Sequence, residues 1–448
     1  MALLLISLRF PIGVEIMYKP FLNLFIFSLF TYLSCCAPAN YNPKSSKSIS
    51  KEPAPVLTEK KTKNEDFFKK PSDTNNEKII PYADHLLSNN VVVLVSIKDD
   101  VKVVNQFINI IEFAIYKKKL NNISFQIYKY NNQKELLTFL NNNNKPGQIY
   151  FGPISTQDTK QIKNYCDSGA IFFSFASEKE LAGKCIYLLN FFPENEIKTL
   201  FNYFPPNSKI ALIYPQNSYG YRISNLADSI SESSKSIIVN RASYKEDLTD
   251  IRVSIKELGK YELRKYELNR QKKILALKKD QDSKNRLKRL EKFVTTNDYD
   301  FTHIIIADYG LRLLQVAPLL AYYDIDPNVV KFVGTGAWDD FIFFNEPSLQ
   351  GSIFPGIEYY KRKSLIDEYE EVYEDKLLRI STLPFDLVGL TAYLINNKYN
   401  LEKSYNLLNN SKSKFDGVDG NFYFISNLIE RDLEILMIKN GEALKLTN

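Results

Sequence analysis

The sequence predicts an α/β fold with two lobes, each a mostly parallel sheet flanked by helices. Short apolar runs alternate with amphipathic stretches from Asn90 onward, which is the pattern of parallel strands covered by helices. The alternation forms two consecutive series, one starting at Asn90 and one near Phe192, so two sheets are expected. A chain of 448 residues with 44% hydrophobic residues is long enough to build both.

The first series contains four predicted strands separated by three predicted helices. Its strands are Val91–Ile97, Ile123–Tyr128, Gln148–Pro153 and Ala170–Ala176, and its helices are Val104–Tyr116, 133–140 and a stretch ending at Tyr165. The second series begins with helix Glu194–Tyr203, strand Lys209–Pro215, helix Ile223–Ser234 and strand 236–244.

Residues 302–340 add a strand–helix–strand unit to the second series. Two apolar runs, His303–Ala307 and Val329–Val333, flank a helix whose interior contains Pro318, which should kink it. Such crossovers are right-handed with parallel strands, so the loops 307–310 and 334–340 should share the carboxyl edge of the sheet. Open α/β sheets bind ligands at that edge.

A charged segment, 245–297, interrupts the second series. It is dominated by Glu, Lys and Arg with recurrent Leu and Ile, and predicts a long exposed helix or a helical hairpin broken near Asp280–Ser283. A solvated protrusion and a docking surface for a protein both fit this composition. Basic helices also bind acidic membranes or nucleic acid. The modest net charge of +6 and the export signal argue against nucleic acid.

The N-terminus, residues 1–36, has the features of an export signal. Lys19 precedes the apolar run Phe21–Leu33, which is too short for a comfortable membrane span. The end of this run, 33–36, resembles the lipobox of bacterial lipoproteins, with Cys36 as the lipidated residue and Cys35 as the alternative. An uncleaved anchor helix is the other interpretation. Residues 37–86, rich in Pro, Ser, Lys and Asn, predict a disordered tether reaching about 40 Å.

No catalytic, metal or cofactor motif is present in the sequence. Two histidines argue against a metal centre or a histidine-based triad, and there is neither a P-loop nor a nucleophile elbow. The chain is therefore expected not to be an enzyme and to carry no cofactor. Cys166 and Cys185 are able to pair in an oxidising compartment or to remain free thiols.

The body from Asn90 to the C-terminus resembles type I periplasmic binding proteins, especially the leucine/isoleucine/valine-binding group. Within that group it is most similar to the lipoproteins called penicillin-binding protein activators. The order and spacing of several landmarks carry the resemblance: 151–156 (FGPIST), 172–177 (FFSFAS), 187–195 (YLLNFFPEN), 217–222 (NSYGYR), 319–340, 381–390 (STLPFDLVGL) and 415–424 (FDGVDGNFYF).

This resemblance implies two lobes joined by three crossings, near Phe191, Phe354 and Gly417, with a cleft that closes by hinge motion. Lobe 1 would comprise 87–192 and 357–416, and lobe 2 would comprise 193–356, which includes the charged insertion, and 417–448.

The resemblance also implies a ligand site in the cleft. The positions that hold a ligand carboxylate in amino-acid-binding relatives correspond here to Ser155, Thr156, Ser174, Ala176 and Ser177. Two ring positions in the second lobe correspond to Tyr219 and Tyr309, which wall a ligand or belong to the core.

One position departs from the amino-acid-binding pattern. Where those relatives place a carboxylate for the ligand ammonium, this chain has Gly336, and an ammonium buried without an anion costs several kcal/mol. Asp339, Asp340 or Asp308 would have to substitute. Trp338 is placed either to stack on a ligand or to fill a gap between the lobes.

Two functions follow from these implications. The first is a lipid-anchored, periplasm-facing module, in the outer membrane rather than the inner, that regulates a cell-wall synthase through protein contact. The alternative is a solute receptor of an ABC importer for branched-chain or other amino acids or similar small molecules. In either case the partners would include the membrane, reached through the lipid, and no nucleic acid.

Overall fold

The computed structural model describes residues 80–446, all within one compact unit that spans 76–448. The export signal, the cysteines Cys35 and Cys36, and the tether up to residue 79 lie outside the described residues. No helix between residues 80 and 446 is long and apolar enough to cross a membrane.

The described chain forms two seven-stranded sheets with helices on their faces, as the sequence predicts. The first series gives β1 (Asn90–Ser96), α1 (Val101–Lys117), β2 (Ser124–Tyr130), α2 (Gln133–Asn143), β3 (Ile149–Phe151), α3 (Thr156–Gln161), β4 (Ile171–Ser174) and β5 (Ile186–Leu188). The second gives α4 (Pro193–Tyr203), β6 (Lys209–Pro215), α5 (Ser218–Ser233), β7 (Ile237–Tyr244), α6 (Ile251–Leu258), α7 (Tyr261–Ala276), α8 (Gln281–Leu290), β8 (His303–Ile306), α9 (Gly310–Tyr322), β9 (Lys331–Val333), α10 (Phe341–Phe344) and β10 (Ile353–Gly356).

After β10 the chain returns to the first lobe and then to the second. The returning elements are α11 (Tyr360–Tyr373), α12 (Thr382–Asn396), α13 (Leu401–Leu408), β11 (Phe422–Ile425) and β12 (Leu428–Arg431), followed by β13 (Glu434–Lys439) and β14 (Glu442–Lys445). The strand orders are β11-β12-β5-β4-β3-β1-β2 and β14-β13-β10-β9-β8-β6-β7. Both sheets are parallel except at the hairpins that form their last edge.

The predicted crossing near Gly417 is wrong, because the hairpin after it belongs to the first sheet. Strand β12 pairs in parallel with β5 through Leu428 and Leu188, and β11 pairs with β12. The chain therefore makes its third crossing at residues 432–433, between β12 and β13. The sequence of β11 and β12 does not specify which sheet they join, since the edge of either sheet would bury their apolar side chains.

Successive residues of a strand in the second sheet face two different apolar clusters, one on each side of the sheet. Ile304 and Ile306 of β8 face one apolar cluster with α6 and α9, whereas Ile305 faces another with α4 and α5. Because successive strand residues point to opposite faces, a continuous apolar run is what a sheet buried on both sides requires.

The charged insertion divides into a core helix and a hairpin. Ile251, Ile255 and Leu258 of α6 are buried against the second sheet, so this part of 245–297 is not an exposed protrusion. The hairpin consists of α7 and α8, and its break lies at the predicted place. There Asp280 caps α8 by accepting a hydrogen bond from the Ser283 amide at 2.8 Å.

Cys166 and Cys185 form a disulfide, with their Cα atoms 5.1 Å apart. The bond ties the helical turn that follows α3 to the start of β5.

Candidate functional site

The first-lobe residues expected to bind a ligand lie at the carboxyl ends of β3 and β4, but two of them are committed to internal hydrogen bonds. The Ser174 hydroxyl is fully buried, 2.7 Å from the Thr159 hydroxyl and 3.0 Å from the Pro153 carbonyl oxygen. The Ala176 amide donates to Ser174 Oγ at 3.2 Å. These two groups hold the strand ends together and leave no donor for an anion.

The other three first-lobe residues lie closer to solvent. Ser155 is half-buried and caps α3, where its hydroxyl accepts from the Asp158 amide at 3.2 Å. Thr156 is half-buried, and Ser177 is exposed. Thr156 and Ser177 therefore remain accessible at the edge of the first sheet.

Tyr219 and Tyr309 come together at the edge of the second sheet. Their rings meet edge to face at 5.0 Å, and the Tyr219 hydroxyl lies 2.6 Å from Thr335 Oγ1. Burial and the nearby Glu196 raise the pKa of Tyr219. Tyr309 is 44% exposed. The pair thus forms a ring-lined surface with one accessible member.

Trp338 lies inside the second lobe, so the interpretation as a ligand-stacking ring is wrong. Its side chain is fully buried, its Nε1 donates to the Asp308 carbonyl at 3.0 Å, and its ring covers Gly334. A Cβ at position 334 would lie 1.9 Å from the ring, so glycine is required for this packing.

Neither Asp308 nor Asp340 is free to replace the missing carboxylate. Asp308 is buried and accepts from the Tyr244 hydroxyl at 2.6 Å and from Arg312 at 3.0 Å. Asp340 caps α10 through the Ile342 amide at 3.1 Å.

The space that a side chain at Gly336 would occupy is filled by the carboxylate of Glu196. A Cβ built on Gly336 would lie 2.2 Å from Glu196 Oε1, and the Gly336 amide donates to Oε2 at 2.8 Å. Glu196 projects from the first turn of α4, which Pro193 begins. Burial raises the pKa of its carboxyl to about 7, although Arg379 and the Gly336 amide oppose this shift.

Arg379 of the first lobe lies near this carboxylate and contacts the loop that contains Gly336. It precedes α12, donates to the Gly336 carbonyl, and places Nε 3.8 Å from Asp339. Its guanidinium also lies 4.2 Å from the centroid of the Phe191 ring, which lies in the first crossing between the lobes. The guanidinium of Arg379 therefore lies beside Gly336, within hydrogen-bonding distance of its carbonyl oxygen.

Asp339 pairs with a second first-lobe arginine, Arg362 of α11, at 2.5 Å, with both side chains almost completely buried. Arg362 also donates to Asp419 at 3.0 Å, and Asp419 accepts from the Thr382 hydroxyl. Although burial alone would lower it, the pKa of Arg362 is raised by Asp339 and Asp419. The two lobes are therefore joined by a buried ion pair.

We call this set the interlobe ion network. Its members alternate in charge and come from both lobes: Glu196, Asp339, Arg362, Arg379 and Asp419. The cavity beside it measures about 20 Å³, which accommodates one water molecule rather than an amino acid. Buried charges of this kind require full pairing, since removing one partner leaves an uncompensated charge.

Only one member of this network, Asp339, is predicted by the sequence to belong to a site, and there as a ligand-binding residue. The available signal was Gly336 itself, because a missing side chain in a packed loop indicates that another group fills the space. Glu196, which directly follows the landmark 187–195, is the group that fills this space, and its position in the sequence does not indicate that role.

Among residues 80–446, no group of three or more His, Cys, Asp or Glu side chains is arranged to hold a metal ion.

No protein-family model and no curated protein matches this sequence. Solved structures do match its fold, which is that of the type I periplasmic binding proteins. The C-domain of LpoA (YraM) from Haemophilus influenzae, described as a regulator of PBP1A, is 13% identical with a TM-score of 0.57. This match covers 80% of this chain and 100% of that domain.

Two further structures show the same likeness. A branched-chain amino acid ABC transporter protein from Rhodospirillum rubrum is 11% identical with a TM-score of 0.61, over 80% of this chain and 100% of that one. Full-length LpoA from Haemophilus influenzae is 12% identical with a TM-score of 0.55, and the match covers 81% of this chain but only 60% of that protein. The fold therefore fits binding and regulatory proteins alike.

Proposed function

We propose that this protein is a non-enzymatic regulator that acts on a peptidoglycan synthase of the cell envelope through protein contact. The observation that carries the proposal is the interlobe ion network. Glu196 and Arg379 place a carboxylate and a guanidinium around Gly336, where a transport receptor needs space and an anion for its ligand.

The energetics of the network favour lobes that stay together. Opening the cleft would separate Arg362 from Asp339, and each group is buried with almost no exposure. Opening would exchange this contact, and the hydrogen bond from Arg379 to the Gly336 carbonyl, for hydration of the same groups. A receptor that opens and closes in every transport cycle must make and break these contacts each time, whereas a docking module need not.

The fold neighbour described as a regulator of PBP1A supports this function, and the amino acid transporter neighbours support the alternative of a solute receptor. The accessible Thr156, Ser177 and Tyr309 are the residues that favour the receptor.

Anchoring by a lipid on Cys36, with Cys35 as the alternative, would hold either protein at the membrane. Mass spectrometry of the N-terminal peptide would identify the modified cysteine, and an unmodified N-terminus would exclude the anchor.

The deciding experiment measures binding of the full-length protein to purified bifunctional peptidoglycan synthases from the same cell. We expect saturable binding and a change in the synthase's polymerisation rate. In parallel, thermal unfolding is followed with amino acids, short peptides and amides. A solute at 100 times its dissociation constant would stabilise the protein by about 2.7 kcal/mol. Stabilisation by a solute, together with no binding to any synthase, would replace the regulator with the receptor.

A further inference from the structure

The α7–α8 hairpin leaves an apolar surface uncovered on one face of α7. Four large side chains of this helix and the residue after it are 44–85% exposed: Leu263, Tyr266, Ile274 and Leu277. At about 100° per residue they fall within an arc of about 80°, and they extend over about 21 Å. We call these four residues the α7 seam.

The opposite face of α7 is already used. Leu268 and Leu275 are buried there, and so is Arg264, whose guanidinium donates to the carbonyls of Gly259, Tyr323 and Thr296 at 2.7–3.2 Å. Helix α7 is thus apolar on two sides. One side, with Leu268 and Leu275, is buried within the protein, and the other, the α7 seam, faces solvent. A helix on the surface of a monomeric globular protein usually has only one apolar side, which faces the core.

The hairpin carries the positive charge of the whole chain. Between Tyr261 and Lys292 there are twelve Lys or Arg residues against five Asp or Glu, a net charge of +7, compared with +6 for all 448 residues. The rest of the chain therefore carries −1. Lys273 and Lys278 border the α7 seam, and five more basic residues lie on α8 and just after it: Lys284, Arg286, Lys288, Arg289 and Lys292.

We propose that the α7 seam is the docking site for an acidic amphipathic helix of a protein partner. A narrow stripe with charged borders is the geometry that packs one partner helix, with apolar residues in the seam and opposite charges along its edges. This inference deepens the proposed function and rests on it, because it assigns the protein contact to one surface and states the partner's chemistry.

Two other occupants fit less well. A second copy of this chain would bring two surfaces of +7 together, and their repulsion opposes pairing. A membrane surface favours a helix with one strongly apolar face and one polar face, whereas α7 has apolar residues on two opposite sides. The middle of the α7 seam also holds Arg270, which is bonded to Glu267 at 2.7 Å. Lipid tails offer this ion pair no polar partner, whereas an acidic protein helix can place a carboxylate beside it.

The test places a photo-crosslinking amino acid at Ile274 of the full-length protein in cells that produce it. The control carries the same amino acid at Val372, which is 62% exposed on α11. We expect a crosslink from position 274 alone, to a peptide that mass spectrometry identifies as an acidic helix with apolar residues three and four apart. With purified components, Leu263→Ser/Leu277→Ser should weaken binding by about tenfold or more. Added salt should weaken wild-type binding.

The outcomes separate this inference from the proposed function. Seam crosslinks to an acidic helix of a protein that is not a synthase support the docking site and overturn the proposed partner. A synthase that binds the wild type and the double serine variant equally supports the proposed function and overturns the docking site. Crosslinks to phospholipid, to another copy of this chain, or in equal yield from Val372, or no crosslink from position 274, also overturn it. Unchanged circular dichroism and melting of the serine variant verify that it is folded.

Discussion

At Glu196, burial and hydrogen bonding act on one carboxyl group in opposite directions. Burial favours the neutral acid, whereas Arg379 and the Gly336 amide favour the carboxylate, and the net result is a pKa raised to about 7. The sequence around Glu196 gives no hint of this, because the groups that determine the shift lie 140 and 183 positions further along the chain. A pKa shift of this kind arises only in the folded state, where distant residues come together.

The raised pKa predicts a specific pH dependence of stability. Between about pH 4.5 and 7 the folded chain retains a proton at Glu196 that the unfolded chain has released, so stability falls as pH rises through this window. The full effect of one group shifted this far is about 3 kcal/mol. Glu196→Gln should remove this slope, and denaturant unfolding of wild type and variant at several pH values measures the difference.

Two comparisons make this prediction specific. Asp386, whose pKa burial also raises to about 7, remains in both proteins and cancels in the difference. The control Glu267→Gln alters an exposed carboxyl whose pKa is lowered by Arg270, so its contribution to stability is constant above about pH 4.5 and is lost only as pH falls below that value. The stability curve of this variant should therefore run parallel to that of the wild type between about pH 4.5 and 7. Parallel stability curves for wild type and Glu196→Gln between pH 4.5 and 7 would contradict the assignment.

At the scale of elements, the α7–α8 hairpin depends on one buried arginine. Arg264 donates to Gly259, Thr295, Thr296, Tyr323 and Asp324 oxygens, and it lies 4.5 Å from the Tyr299 ring. The planar guanidinium is what allows one side chain to reach so many acceptors, and a lysine ammonium has only three donors.

Arg264→Lys should therefore destabilise the protein by about 1–3 kcal/mol, because buried carbonyls lose their donors. Amide hydrogen exchange should accelerate mainly in α7 and α8. The matched control is Arg270→Lys on the same helix, where the exposed ion pair with Glu267 contributes about 0–1 kcal/mol. Equal unfolding free energies for the two variants would show that Arg264 is not the anchor.

The elements themselves were largely predictable, and their long-range connections were not. Strands such as β1 and β8 are short apolar runs, so their positions follow from local sequence. The register of β12 against β5 joins residues 240 positions apart, and no local pattern specifies it. The same holds for the site. Tyr219 and Tyr309 are candidate site residues only through the family resemblance, whereas Arg362 and Arg379 acquire their contacts from partners in the other lobe.

At the scale of the whole molecule, the charges are distributed in two different ways, on the exposed α7–α8 hairpin and in the buried interlobe ion network. The hairpin concentrates the positive charge on the outside, where solvent and salt screen it. The interlobe ion network holds alternating charges inside, where screening is weak and geometry decides the energy. In the proposed function, the first offers a charged surface to a partner, and the second links the two lobes to each other.

Removing Arg379 should let the lobes open. Arg379→Ala deletes the contacts with the Gly336 carbonyl and Asp339 and leaves Glu196 without its cation, so within the interlobe ion network only the Arg362–Asp339 pair still joins the two lobes. We expect a larger radius of gyration by small-angle X-ray scattering, with faster hydrogen exchange in α4 and in residues 336–340. Arg222→Ala is the control, because Arg222 bonds Glu194 within the second lobe at 3.1 Å. Scattering curves of Arg379→Ala that superimpose on the wild type, with cooperative unfolding retained, would mean that the network does not hold the lobes together.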